Sequence, residues 1–323
     1  MKFRTEVRIP ESENKIEAGD LIFSIGSCFS TEITDLLGQG QMQVFNNPFG
    51  TLFNPFSINN AIRRLHDAQY YTQEDLITFD GKVISLDHST AFDTAYAHQT
   101  LDKINGQIET GNAFLREARW VLVTYGSAFV HEFLPKNKLV ANCHKIPGKF
   151  FNKRLLTHLE LTDSIYETIQ NLRDIGPEDI QVLFTVSPVR HTKDGIPENT
   201  LSKAQLFTAL HEIIEEFDFC HYLPVYEIMM DDLRDYRFYK EDMVHPTAQA
   251  VQYIFEQFGE AYFSTQTMDF IEENFKIRQA LAHIPGDKSS DVYQNFLSKV
   301  NARIAAQQEM VKHPIFRGYG HCD

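Results

Sequence analysis

Cysteine is sparse and scattered: Cys28, Cys143, Cys220 and Cys322 are the four in the chain, and no two form a CxxC pair. That excludes a zinc ribbon or a dense disulfide framework, and reduced thiols are expected. Positive charge is also short. Lys+Arg 30 against Asp+Glu 44 leaves a formal net charge of −14, which repels a phosphate backbone, so no nucleic-acid partner is expected. No run reaches the roughly 18 apolar residues of a membrane span. The opening MKFRTEVRIPESENKIEAGD lacks the apolar stretch of a signal peptide. A cytoplasmic protein with no membrane partner is the expectation. Internal repeats and low-complexity tracts are missing too. Tryptophan occurs once, yet 26 Phe and 13 Tyr supply large core side chains, and 43% hydrophobic with 23% charged residues is the balance of a folded globular chain.

What the 323 residues do contain is an alternation of two periodicities. LIFSIG (residues 21–26) is a short apolar run closed by glycine, after which Phe29, Ile33, Leu36 and Leu37 recur at helical spacing until Gly38. That reads as strand, sharp turn, helix. Residues 43–45 suggest a second short strand, and a loop rich in turn formers leads to a helix starting at Asn54 with Pro55 just inside it. Ile58, Ile62 and Leu65 would be its buried face. WVLVTYG (120–126) and IQVLFTVSP (180–188) are near-continuous β-branched and aromatic runs, the pattern of strands covered on both faces. Between them Ile165, Ile169 and Leu172 mark a helix ended by Gly176-Pro177.

A polar loop over 191–199 follows, then a helix over 201–217, a strand near 220–225 and a helix over 245–259 with Pro246 at its first position. The order predicts an α/β fold with a doubly wound parallel sheet. Residues 71–118 read differently, as a β-rich insertion or extra hairpins beside the sheet. From about 268 to 314 the pattern is helical, with a break at IPGDKSSD (284–291). The expected organisation is therefore an α/β domain over 1–265, carrying the insertion, and a C-terminal helical extension over 266–323.

In a parallel α/β sheet the loops leaving the strand C-termini form the ligand crevice. Ser27 follows the first strand directly, on a strand-to-helix turn that would hold its hydroxyl toward solvent beside its own N–H. The plainer alternative is a serine that only caps the helix. Asp242 and His245 lie in one short loop, DMVH, and could supply the base that a serine nucleophile needs and the carboxylate that fixes the base's tautomer. Candidate oxyanion donors are the Ser27 N–H, the Gly50 N–H and the Asn142 side-chain amide. Cys28, beside Ser27, is a rival nucleophile at the same helix N-terminus. It would, however, point toward the sheet and behave as a small hydrophobe. His144, Arg190 and His191 cluster in polar loops, where Arg190 could hold a carboxylate or phosphate by its planar fork, or where all three could simply build a loop network. Neither HEFLP nor HEIIE has the second histidine of HExxH, and MDDLRD lacks EF-hand spacing, so neither a metal nor a cofactor is expected.

Taken together, IGSCFS, NPFGTLFNPFSI, ANCHKIP, FTVSPVRH and DDLRDYRFYKEDMVHPT resemble the GSCFA domain family over roughly residues 20–260. Its eponymous motif reads GSCFS here, with Ser30 in place of alanine. That family is in turn similar to the SGNH (GDSL-like) hydrolases. The resemblance implies a flavodoxin-like three-layer α/β/α fold, with Ser27 as nucleophile, His245 as base, Asp242 as its orienting acid and Gly50 as the oxyanion glycine. In the wider group the oxyanion asparagine lies in a G-x-N-D motif after a strand. Here that strand ends in YGSAF, with Ser127 and Ala128 in place of the polar pair, which leaves Asn142 or the Ser127 hydroxyl for the role. The expected activity is that of a bacterial-type serine esterase acting on an O-acylated carbohydrate or another small polar ester. An acyltransferase using the same residues and a non-catalytic protein binding a glycan or acylated ligand are the alternatives.

Overall fold

The computed structural model describes residues 4–283 and 289–317. Cys322 and residues 284–288 of the expected interhelical break lie outside the described residues. The chain begins its regular structure with β1 (Leu21–Gly26), α1 (Cys28–Gln39), β2 (Gln43–Asn46) and α2 (Pro55–His66). As the sequence suggests, Asn54 caps α2 by accepting the Ser57 N–H at 2.8 Å, with Pro55 at the first helical position. An antiparallel hairpin of β3 (Leu76–Phe79) and β4 (Lys82–Ser85) follows, then α3 (Ala97–Leu115) and β5 (Trp120–Tyr125).

A second antiparallel unit comprises β6 (Phe129–Phe133), β7 (Lys138–Val140) and β8 (Phe151–Leu155). After it come α4 (His158–Ile175), β9 (Gln181–Val186), α5 (Ile196–Ile214), β10 (Cys220–Tyr222) and the single turn α6 (Val225–Glu227). Three helices close the described chain: α7 (Ala248–Tyr262), α8 (Thr265–Leu281) and α9 (Asp291–Gln308).

The five parallel strands pair in the order β2-β1-β5-β9-β10, the flavodoxin-like doubly wound order. The strands alternate between two faces. Phe23, Ile25, Val121, Val123, Val182 and Phe184 point into one core with α2, α3, α4 and α5, while Ile22, Trp120, Leu122 and Leu183 point into the other with α1, α7 and α8. Full burial of each such aliphatic or aromatic side chain contributes about 1.5–3 kcal/mol, so the sheet is held from both sides. The C-terminal helices share the second core: Phe270, Ile271, Ile277 and Val300 are buried in it, and Asn274 Nδ2 donates to Gly40 O at 3.0 Å.

Several boundaries differ from the sequence reading. Residues 71–118 hold one hairpin and then the long α3, whose Thr100, Ile104, Ile108, Gly111 and Leu115 face inward at helical spacing. Glycines inside the helix blunt its signal, and Gly111 is there because a Cβ would lie 2.8 Å from Leu65 Cδ2. The additional antiparallel sheet lies later, over 129–155. Pro246 is not the first residue of α7: it pairs with Tyr239 in an isolated bridge, and the Thr247 hydroxyl caps the helix at Ala250 N. Pairing between Lys240 N and His245 O at 2.7 Å and between Thr247 N and Phe238 O at 2.8 Å keeps this segment extended until Ala248. α5 starts earlier than expected, at Ile196.

β1 ends in a backbone that only glycine tolerates. Gly26 has φ +145°, and a Cβ there would sit 2.2 Å from Thr124 O of the neighbouring strand. Gly26→Ala is expected to lower stability by about 2 kcal/mol or more in urea unfolding, the size associated with a clash in a strained backbone. A change below about 0.5 kcal/mol, that of an ordinary surface substitution, would contradict this packing.

Candidate active site

The turn after β1 is fixed by backbone groups on both sides. Gly26 N donates to Asn47 Oδ1 at 2.8 Å, Leu52 N donates to Gly26 O at 2.9 Å, and Ser27 N donates to Thr124 O at 3.0 Å. Ser30, the departure from the family motif, donates its hydroxyl to Ser27 O at 2.8 Å and accepts from Asn47 Nδ2 at 2.9 Å, tying the first turn of α1 to the loop after β2. Ser27 itself occupies the N-cap position of α1, but its side chain makes no capping bond. It is 1% exposed, and its Oγ has no hydrogen-bond partner. Leaving a buried hydroxyl unpaired costs about 1–3 kcal/mol, so the plain helix-cap role does not account for this serine.

Its wall is the strand end beside it. A Cβ on Gly126 would lie 3.3 Å from Ser27 Cβ and 3.1 Å from Phe53 Cδ1, and Phe53 O accepts both Gly126 N and Ser127 N at 2.7 and 2.8 Å. His191 Nε2 is 3.2 Å from Gly126 O, and its ring meets Phe53 edge-on with centroids 5.7 Å apart. Burial and the nearby Lys203 charge pull the His191 pKa down to about 4. Cys28 is half-buried against the core beneath α1, and burial raises its thiol pKa, as suits a small hydrophobe rather than an activated nucleophile.

Asp242 and His245 form a pair across their tight loop. Asp242 Oδ2 lies 2.7 Å from His245 Nδ1, while Oδ1 accepts the Val244 and His245 N–H groups, each at 2.9 Å. The side chains are 49% and 40% exposed, so the pair faces solvent. Two contacts hold this loop at the edge where Ser27 lies: Lys240 Nζ pairs with Glu32 of α1 at 3.0 Å, and Arg190 Nη2, just past β9, donates to Met243 O at 2.8 Å. Arg190 also stacks on Tyr239, 4.7 Å from the ring centroid. His245 does not hydrogen-bond Ser27, whose Oγ is unpaired.

Of the remaining candidates, Gly50, Asn142 and His144 meet residues 86–93, and Ser127 lies apart. Gly50, at φ +74°, turns toward Ser89, and its N–H donates to Asn47 O at 2.7 Å. Asn142 N donates to Leu86 O, and Asn142 Oδ1 accepts His144 N at 2.8 Å. The His144 Nδ1 and Asp93 Oδ1 atoms are 3.0 Å apart, buried, and not aligned as a hydrogen bond. Ser127 Oγ faces Ser202 Oγ at 3.2 Å and accepts Phe129 N at 3.0 Å, which turns it into the turn's own network. Thus Ser27 N–H and Gly50 N–H, expected to be free for a ligand, are each bonded to a carbonyl.

The family model for GSCFA matches residues 21–258, about three-quarters of the sequence. The chain belongs to the GSCFA family. No curated protein matches it in sequence. Solved structures are similar to this GSCFA chain only remotely. A DUF4886 family protein from Bacteroides uniformis is 11% identical with a TM-score of 0.40, covering 90% of this chain and 95% of that one. A carbohydrate esterase family 3 protein from Talaromyces cellulolyticus is 7% identical with a TM-score of 0.35, covering 80% and 99%. A carbohydrate esterase family 2 enzyme with a carbohydrate binding domain from Corynascus thermopiles is 10% identical with a TM-score of 0.37, covering 79% and 67%.

Sequence reasoning missed Lys203 of α5, which donates to Gly126 O and Ser187 O, both at 2.7 Å, and is 2% exposed. Its signal was available: it lies on the same helical stripe as Leu206, Leu210 and Ile213. Phe53 and Asp93 were missed as well, because their roles depend on contacts across loops.

The two hydrogen bonds from His245, backbone then ring, and the Val244 N–H hold the Asp242 carboxyl at about 2, below its ordinary 3.8. A carboxylate depressed in the folded state stabilises the loop fully above its unfolded value and loses that contribution as pH falls toward the folded one, here between about 4 and 2. A carboxyl-carbon NMR titration is expected to place its midpoint near 2, rising only part of the way in His245→Ala because the backbone donors remain. A wild-type midpoint at 3.8 would contradict the geometry.

Proposed function

We propose that this GSCFA protein is a serine hydrolase that deacylates an O-acylated carbohydrate or another small polar ester. The observation that carries the reading is Ser27 Oγ: buried at a strand-to-helix turn, at a helix N-terminus, and bonded to nothing. In this reading Ser27 Oγ forms the bond to the ester carbonyl carbon while its proton passes to His245 Nε2. Asp242, bonded at Nδ1, fixes the ring tautomer and stabilises the imidazolium. Collapse of the tetrahedral intermediate expels the alcohol, which takes the proton from His245, and water then releases the acyl group by the reverse sequence. The Ser27 and Gly50 N–H groups would meet the oxyanion as a second acceptor beside their present carbonyls. The Asn142 carboxamide N–H2 has no hydrogen bond among the described residues and would complete the set. Arg190 and His191 would contribute polar groups suited to a small polar substrate, whereas Ser127 and His144 are buried in their own contacts.

A second reading, acyl transfer by the same residues, is favoured by one feature. Ser27 Oγ exposes less than 1 Å², and an acyl group held there would be shielded from water until an alcohol acceptor arrives.

Hydrolysis of 4-nitrophenyl acetate and of an O-acetylated oligosaccharide tests the proposal. Ser27→Ala and His245→Ala are each expected to reduce kcat/KM on the order of 10³-fold or more, with folding intact. Wild-type turnover in Ser27→Ala would overturn it. Adding a sugar acceptor separates the two readings, since a transferase diverts acetyl to the sugar and a hydrolase does not.

A further inference from the structure

Lys203 is buried with carbonyl oxygens as its hydrogen-bond partners, and among the described residues no carboxylate forms an ion pair with it. Its Nζ donates to Gly126 O and Ser187 O, the positions just past β5 and β9, each at 2.7 Å. An ammonium has three N–H donors, so two carbonyls leave one unspent. The titratable groups around it are Cys28 from α1, His191 from the loop after β9, and Tyr226 from α6, whose ring centroid is 5.9 Å away. None is an acid of carboxylate strength. A buried cation lacking a counter-charge is costly, and such an arrangement suits negative charge that develops on a bound substrate. Gly126 links Lys203 to Ser27: its carbonyl takes the ammonium, while its Cα lies so close that a Cβ would be 3.3 Å from Ser27 Cβ.

The strand end here reads Gly126, Ser127, Ala128, without a carboxamide, and two of the backbone donors near the turn already serve carbonyls. We propose that Lys203 is a positioning residue for the Ser27 reaction, its ammonium anchored behind Gly126 and supplying the fixed positive charge against which the oxyanion forms. This rests on the reading of Ser27 as nucleophile. Burial pulls the Lys203 pKa down to about 7, with Cys28 opposing, so its charge is lost across the neutral range.

The test is the pH profile of Ser27-dependent 4-nitrophenyl acetate turnover, taken as wild type minus Ser27→Ala. kcat/KM is expected to fall as pH rises through about 7, because the ammonium is lost. The drop should be at least about tenfold, less than the cost of removing a directly bonded oxyanion donor. Lys203→Met is expected to sit on the low plateau with no descending limb. Lys203→Arg, which keeps its charge, is expected to lose the limb while holding activity into the alkaline range. A residue needed only for folding would lower turnover uniformly and leave the limb in Lys203→Met. Persistence of the limb in that variant, or its absence from wild type, overturns the proposal. Circular dichroism checks the fold of both variants. If either fails to fold, NMR titration of the Lys203 amine in wild type with and without a phosphonate bound to Ser27 decides: a midpoint raised by the bound anion supports the proposal, and an unchanged one overturns it. No Ser27-dependent turnover at any pH removes the nucleophile reading itself, an outcome distinct from turnover that ignores Lys203.

Discussion

The site depends on one close approach, the end of β1 pressed against the backbone of β5. Gly26 has no room for a Cβ beside Thr124, and the Ser27 N–H is fixed on the Thr124 carbonyl, so the chain turns abruptly into α1. From this contact follow the burial of Ser27, the seat of Cys28 on the core beneath α1, and the contact with Gly126 that brings Lys203 and His191 to the same wall. A serine placed there is denied the usual satisfaction of a helix cap, and the fold tolerates an unpaired hydroxyl where the loops from several strand ends meet.

Two kinds of electrostatics meet at this edge. The Asp242 and His245 pair is solvent-facing and assembled within one loop, so its geometry is local: residues three apart bond through ring and backbone together. Lys203 is the opposite case, a charge deep in the structure that helix α5 delivers through the folded sheet. The first is open to solvent; the second is fixed by the fold itself, which is the condition under which a charge can stabilise a transition state without reorganisation.

Much of this was legible in the chain because burial on both faces leaves a strong mark. The runs at 21–26, 120–126 and 180–188 contain the three central strands, and the cap at Asn54 sits where Asn followed by Pro implied. The Asp242 and His245 pairing needed only three-residue proximity. Harder to read were features set by tertiary contact. The α3 helix was masked by its glycines, one of which is required by Leu65 rather than by local structure. Gly50 looked available as a donor, but its own turn uses its N–H. Ser27 was expected to face solvent, and its burial, with Gly126 close beside it, comes from tertiary packing that the local sequence does not show. Lys203 was visible as a charge on an apolar stripe, yet its partners, Gly126 and Ser187, are far away in sequence and converge on it only once the sheet is assembled.

The most direct test of the central claim, that the fold presents Ser27 as the nucleophile, is mass spectrometry of the intact protein after exposure to a fluorophosphonate, followed by peptide mapping. The account predicts one adduct, on Ser27, absent from Ser27→Ala and strongly slowed in His245→Ala. An adduct on Cys28, or none on the folded wild-type protein, would contradict it.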